Sequence, residues 1–315
     1  MTTSVVMLGA LLACAAVALA TALGWTLAAL AAVLPFHRRL SARTRAVFLA
    51  QVRLLPLVCV AIVVPAQVTG FIRHEAGVGE SAGPFLWAAA AAGFALALHA
   101  IWCAATSWRE TARVITAWKA TATPLVMTHW SRPAWTIQPG SPVVAVAGVF
   151  RPQLFVARQV VTSCTAGELA AIAAHEATHV SARDNLVRGL FRLTPGAGIF
   201  RHLADRLERD WNAAAEEAAD LLGSRSTSPL DLASALTKVA RLATSAPARS
   251  LVVSALIGGS DLQARVRRLL EAPAPPRRHP AVWIPAIGLM AAATIVQSAP
   301  MLAVVHEFFE LLVRH

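Results

Sequence analysis

The residues best suited to chemistry in this sequence are His175, Glu176 and His179, inside the stretch 165–183. On a helix, side chains four apart share a face, so both imidazoles can reach one metal ion. Glu176 follows the first histidine directly, which sets its carboxylate beside that metal as a general base for the water the metal activates. The chemistry such a group performs is metal-assisted hydrolysis, and zinc is the cation that suits it. The competing reading is a helix with two surface histidines. Leu169, Ile172, Ala173 and Val180 weigh against it, because a His-Glu-His cluster in so apolar a helix is costly without partners.

Thr165, followed three residues later by Glu168, is a capping box and starts the helix that carries the cluster. Ahead of it, 141–149 and 153–157 read as two short strands around a Phe150-Arg151-Pro152 turn. A substrate backbone could lie as an added strand against either one. Behind it, 194–198 breaks the pattern, and a second helix is expected from about 199 to 222 with Gly223 as its stop signal. That helix carries Glu208, Asp210, Glu216, Glu217 and Asp220. A metal held by two imidazoles needs a third protein ligand, and a carboxylate from another helix can supply it. Glu216 and Asp220, four apart, face one way; an Asp one turn on can orient a ligating histidine through its other N–H. Read without the first motif, the same residues are a solvated acidic face. Residues 229–272 read as helical, with Arg265, Arg267 and Arg268 on a solvated basic face. The chain has no tyrosine, so His202 and Arg201 are the candidates for steadying an oxyanion.

At 315 residues, with 57% hydrophobic and 14% charged content, the sequence is too apolar for an ordinary soluble protein. Its formal charge of +11 is almost all arginine, since lysine occurs only at 119 and 238. These arginines cluster beside apolar spans, where retention on the cytoplasmic side accounts for them and direct nucleic-acid binding is not required. Cysteines stand singly at 14, 59, 103 and 164, with no C-x-x-C, so neither a disulfide framework nor a thiolate metal site is indicated. Cys164 reads as a small packing residue.

Three membrane spans are expected at about 5–35, 46–70 and 85–107, filling residues 1–107. The first has its charges after the apolar run, not before it, which fits a signal peptide poorly. The basic loop 37–45 is retained inside, so the N-terminus lies outside. Arg53, near the start of the second span, is placed to snorkel toward the interface, and Pro56 and Pro65 are expected kinks. Arg109, Arg113 and Lys119 keep the domain 108–278 in the cytoplasm. A fourth span at 279–305 then leaves 306–315 as a short extracellular tail. This is the layout of a multi-pass protein of a bacterial-type plasma membrane, with the lipid bilayer as its first partner.

His175-Glu176-Ala177-Thr178-His179 with Asp184 after it, the string Glu216-Glu217-Ala218-Ala219-Asp220, the upstream stretch 142–152 and the order of spans together resemble the BlaR/MecR-type antirepressor metallopeptidases. The resemblance covers nearly the whole chain. It implies an α-helical multi-pass membrane protein with a cytoplasmic α+β zincin-like metallopeptidase domain. It also implies Zn2+ on His175, His179 and Glu216, with Glu176 as the base and Asp220 in contact with a ligand. Asp184 matches an acidic position of the family with a structural or ligand-orienting role. The implied substrate is a cytoplasmic protein, such as a transcriptional repressor. Antibiotic receptors of the family carry a penicillin-binding domain after the fourth span. This sequence has about ten residues there, without S-x-x-K or K-T-G, so direct β-lactam binding is not expected. Two alternatives stay open: an HtpX-like quality-control protease, and an inactive signalling or scaffold protein that keeps zinc for structure.

Overall fold

Long apolar stretches without a helix-breaking turn give the chain three extended helices: α1 (Val5–Val33), α2 (Ala42–His74) and α3 (Pro84–Thr121). In the computed structural model the described residues are 5–34, 39–74, 82–138, 144–243, 254–255, 262–271, 296 and 298–314. All three helices are long and apolar enough to cross a membrane. α2 continues through Pro56 and Pro65. At Gly24 of α1 an added Cβ would stand 2.4 Å from Pro56 Cα, so a bare backbone there lets the two helices touch. The helix that holds the expected third span continues past 107: with no glycine or proline between 94 and 123, α3 runs on to Thr121. Its C-terminal end carries Trp118 onto Phe155, their rings 5.1 Å apart.

Among the described residues, five short strands form one mixed sheet in the order β1-β2-β4-β3-β5. They are β1 (Thr123–Pro124), β2 (Ala134–Ile137), β3 (Val144–Ala147), β4 (Gln153–Ala157) and β5 (Ser254–Ala255). β3 and β4 are the two strands read from the sequence. They pair antiparallel, with Val144 opposite Val156, and Gly148 opens their turn at φ 102°. β1, β2 and β5 were not expected. Both faces of β3 and β4 are covered, so their apolar residues run continuously instead of alternating. Val144, Val146, Leu154 and Val156 join the core beneath the metal-motif helix, while Ala145, Ala147 and Phe155 pack under Trp118.

The helices of this second part are α4 (Arg158–Ser163), α5 (Ala166–Ala182), α6 (Asp184–Phe191), α7 (Arg201–Ser226), α8 (Pro229–Ala243) and α9 (Leu262–Leu270). One turn of 3-10 helix, Gly198–Phe200, leads into α7. A last helix, α10 (Ala299–Arg314), packs on α2, where Gly70 faces the Leu302 carbonyl. The expected fourth span lies largely outside the described residues. α10 replaces the junction expected between that span and the tail.

The C-terminal end of α1 and the N-terminal end of α2 pack onto the second part of the chain. Trp25, Leu49 and Val52 share one core with Phe191, Leu207 and Trp211 of α6 and α7. Arg53 is buried in that core and does not snorkel. Its guanidinium donates to the Thr194 carbonyl and to Thr194 Oγ1, both at 2.8 Å, and lies 5.0 Å over the Trp25 ring. Nη2 also donates to the Phe191 carbonyl at the end of α6 at 3.5 Å, and these acceptors satisfy a charge that would otherwise be costly to bury.

Candidate metal centre

The capping box at the start of α5 forms as expected. Thr165 N–H donates to Glu168 Oε2 at 2.7 Å, and Glu168 N–H donates to Thr165 Oγ1 at 3.2 Å. Glu168 also accepts from Lys238 Nζ at 2.7 Å, which fastens the start of α5 to α8. Three turns on, His175 and His179 point the same way, with their Nε2 atoms 3.2 Å apart. α5 then ends at Arg183, whose left-handed backbone (φ 59°) reverses the chain at once into α6. A non-glycine residue there costs roughly 1–2 kcal/mol. That reversal returns Asp184 to the helix it has just left, 2.6 Å from His179 Nδ1.

α7 brings the rest. Glu216 Oε2 lies 3.6 Å from His175 Nε2, and Glu216 Oε1 lies 3.6 Å from His179 Nε2. Asp220 Oδ1 lies 3.1 Å from His175 Nδ1. Asp184 is within hydrogen-bond reach of His179 Nδ1, while Asp220 faces His175 Nδ1 without the alignment of a hydrogen bond; a proton on Nδ1 of either ring would leave its Nε2 free to face Glu216. Two lone pairs and a carboxylate oxygen, all buried and within 4.8 Å of one another, can hold a metal ion. The surroundings favour positive charge. Burial opposes protonation of His175, but Asp220 and Glu216 outweigh it and lift its pKa to about 9. Burial alone would raise Glu216 and Asp220; the histidines and Arg265 instead hold both below the ordinary carboxylate range.

Glu176 differs from these carboxylates. It is fully buried, and neither oxygen has a hydrogen-bond partner among the described residues. Burial raises its pKa, against the pull of His179 and His175, so it holds a proton more readily than a surface glutamate. A carboxylate of raised basicity beside a cluster of metal ligands is equipped to accept a proton from water.

Two residues that matter here were misread or missed. Arg265, expected on a solvated basic face, is 2% exposed. Its Nε and Nη2 donate to Asp220 at 2.8 and 2.7 Å, and Nη1 stands 3.2 Å from Glu216 without the alignment of a hydrogen bond. The reason is visible in α9: Arg265 falls on the same stripe as Leu262 and Leu269, which pack into the core. Gly223 was expected to end the second helix, yet α7 continues through it to Ser226. A Cβ at Gly223 would stand 3.0 Å from His175 Cα and N, so glycine is there to let α7 approach the motif helix.

Arg201 and His202 are not brought to the site. They sit exposed in the first turn of α7, about 22 Å along the helix axis from Glu216. The expected free strand edge is also corrected. β4 lies between β2 and β3, and β3 pairs with β5 at Ala145 and Val146. Asn185 takes the next carbonyls, donating to Val146 O at 3.0 Å and Gly148 O at 3.2 Å.

No protein-family model matches the chain, and none of the curated proteins compared with it is similar. The site therefore stands on its geometry.

Proposed function

We propose that the chain is a membrane-bound, zinc-dependent endopeptidase of the BlaR/MecR antirepressor type, hydrolysing a cytoplasmic protein such as a transcriptional repressor. The observation that carries this is the meeting of His175, His179 and Glu216 with an unpartnered, buried Glu176. Ligands about 2.1 Å from a tetrahedral cation lie roughly 3.4 Å apart, close to the separations of 3.2 and 3.6 Å seen here. Nitrogen and carboxylate donors of this number suit zinc.

Zinc held by His175, His179 and Glu216 would supply Lewis acidity toward the scissile carbonyl and toward water. Glu176 takes the proton from the attacking water and hands it to the departing amine, so a peptide bond and water become a carboxylate and an amine. Asp184 and Asp220 hold the imidazoles in the ligating tautomer. Arg265 offsets the negative charge of Asp220 and Glu216. In this reading α1–α3 cross the bilayer, the metal domain faces the cytoplasm and the N-terminus lies outside.

The test compares protein fragments in cells carrying the wild-type chain and Glu176→Gln. One repressor-like product confined to the wild type is the expected result. A broad set of damaged membrane proteins would point to quality control instead. Identical fragments in both would remove the peptidase reading.

A further inference from the structure

Between α6 and α7, residues 193–200 (Leu-Thr-Pro-Gly-Ala-Gly-Ile-Phe) carry no charge and are bounded by Arg192 and Arg201. The segment is held by the membrane helices and not by its own domain alone. Arg53 of α2 grips Thr194, and Trp25 of α1 stacks on Phe200 with ring centroids 5.9 Å apart. Those two anchors mark a depth. Residues 54–72 of α2 contain no charged side chain, so Arg53 stands where the apolar run begins. Gly24, next to Trp25, packs on Pro56 at the same level. At that level Ile199 is 85% exposed and Leu193 is 36% exposed. An isoleucine so exposed is ordinary on its own. Here it sits in an uncharged segment held against Trp25 of α1 and Arg53 of α2, both beside uncharged stretches of those helices, with Arg201 and His202 exposed just behind it.

We infer that residues 193–200 dip into the inner bilayer interface, with Ile199 and Leu193 among the acyl chains and Arg201 at the phosphate level. The partner surface is lipid. It continues the lipid-facing surface of α1–α3, and the order of groups, apolar tip then basic flank, matches the order of chains and phosphates in a leaflet. The loop then fixes the start of α7, and with it the height of Glu216 above the membrane.

This rests on the reading that α1–α3 span the bilayer, and the experiment separates the two. In protein whose cysteines at 14, 59, 103 and 164 are replaced by alanine, single nitroxide labels are placed at Ile199→Cys, Leu193→Cys, Phe94→Cys and Arg225→Cys. After reconstitution into vesicles, each label is probed with oxygen, which enters lipid, and with a water-soluble nickel complex. Labels at 199 and 193 should be broadened by oxygen and lose the nickel broadening seen at 225. The label at 94, on the exposed face of α3, reports whether that helix is in the bilayer at all. Nickel broadening at 199 and 193 equal to that at 225, with 94 protected, would overturn the loop insertion alone. Broadening of 94 by nickel would overturn the spanning reading beneath it. Low broadening at 199 by both reagents would assign the loop to a protein partner and also end the proposal.

Discussion

At the scale of single residues, the site is a balance of buried charge. Arg265 is the counterweight to two carboxylates, and its removal leaves them with the imidazoles alone to offset their charge. Breaking a buried pair from one side typically costs about 3–5 kcal/mol. Arg265→Met is therefore expected to lower the melting temperature in detergent markedly, while Arg265→Met with Asp220→Asn should lose less than the two changes summed. His179→Ala and Glu216→Ala should each lose bound metal by elemental analysis, whereas Glu176→Gln should keep it. His175, Glu176 and His179 were legible because a linear spacing of four fixes a shared helical face. Glu216 and Asp220 were legible as a pair for the same reason. Arg265 was not, because grouping it with Arg267 and Arg268 by charge hid its place on the stripe with Leu262 and Leu269.

At the scale of elements, the site depends on how closely α5 and α7 approach. Gly223→Ala pushes a methyl group into the His175 backbone and should reduce bound metal, although it touches no ligand side chain. Gly189→Ala, whose added Cβ meets nothing within 4 Å, is the matched control and should leave metal content unchanged. The start of α5 makes a separate prediction with pH. Burial works to raise the Glu168 pKa, but Lys238, Ser234 and the Thr165 N–H outweigh it and hold the folded value below 4.5. A depressed folded pKa stabilises above the unfolded value and loses that contribution as pH falls through the folded one. The difference in melting temperature between wild type and Glu168→Gln should therefore be full near neutrality and shrink as pH falls below 4.5. The cap itself was legible in the sequence, as were β3 and β4, since continuous apolar runs beside a turn are strong local signals. β1 and β5, two residues each, owe their existence to the neighbours they pair with, and no local pattern could announce them.

At the scale of the whole molecule, the long apolar helices and the part that carries the candidate metal site share a core. Composition showed that apolar helices were present, but the division at residue 107 treated them as an anchor set apart from the domain. The packing of Leu49 and Val52 on Leu207 and Trp211 joins residues more than 150 positions apart, a relation no window of sequence contains. Fragment 108–278 made without α1 and α2 would expose that apolar face. It is expected to elute as aggregate on size exclusion and to bind little metal, whereas the full chain in detergent should elute as a discrete species and bind metal. The Arg45–Glu217 contact of 2.6 Å gives this shared core a further meaning. Glu217 adjoins Glu216, and Arg45 rides on a helix long and apolar enough to cross a bilayer, where helix tilt follows acyl-chain length. Were α2 to span the bilayer as proposed, a change in its tilt would pass through Arg45 to the backbone that carries Glu216.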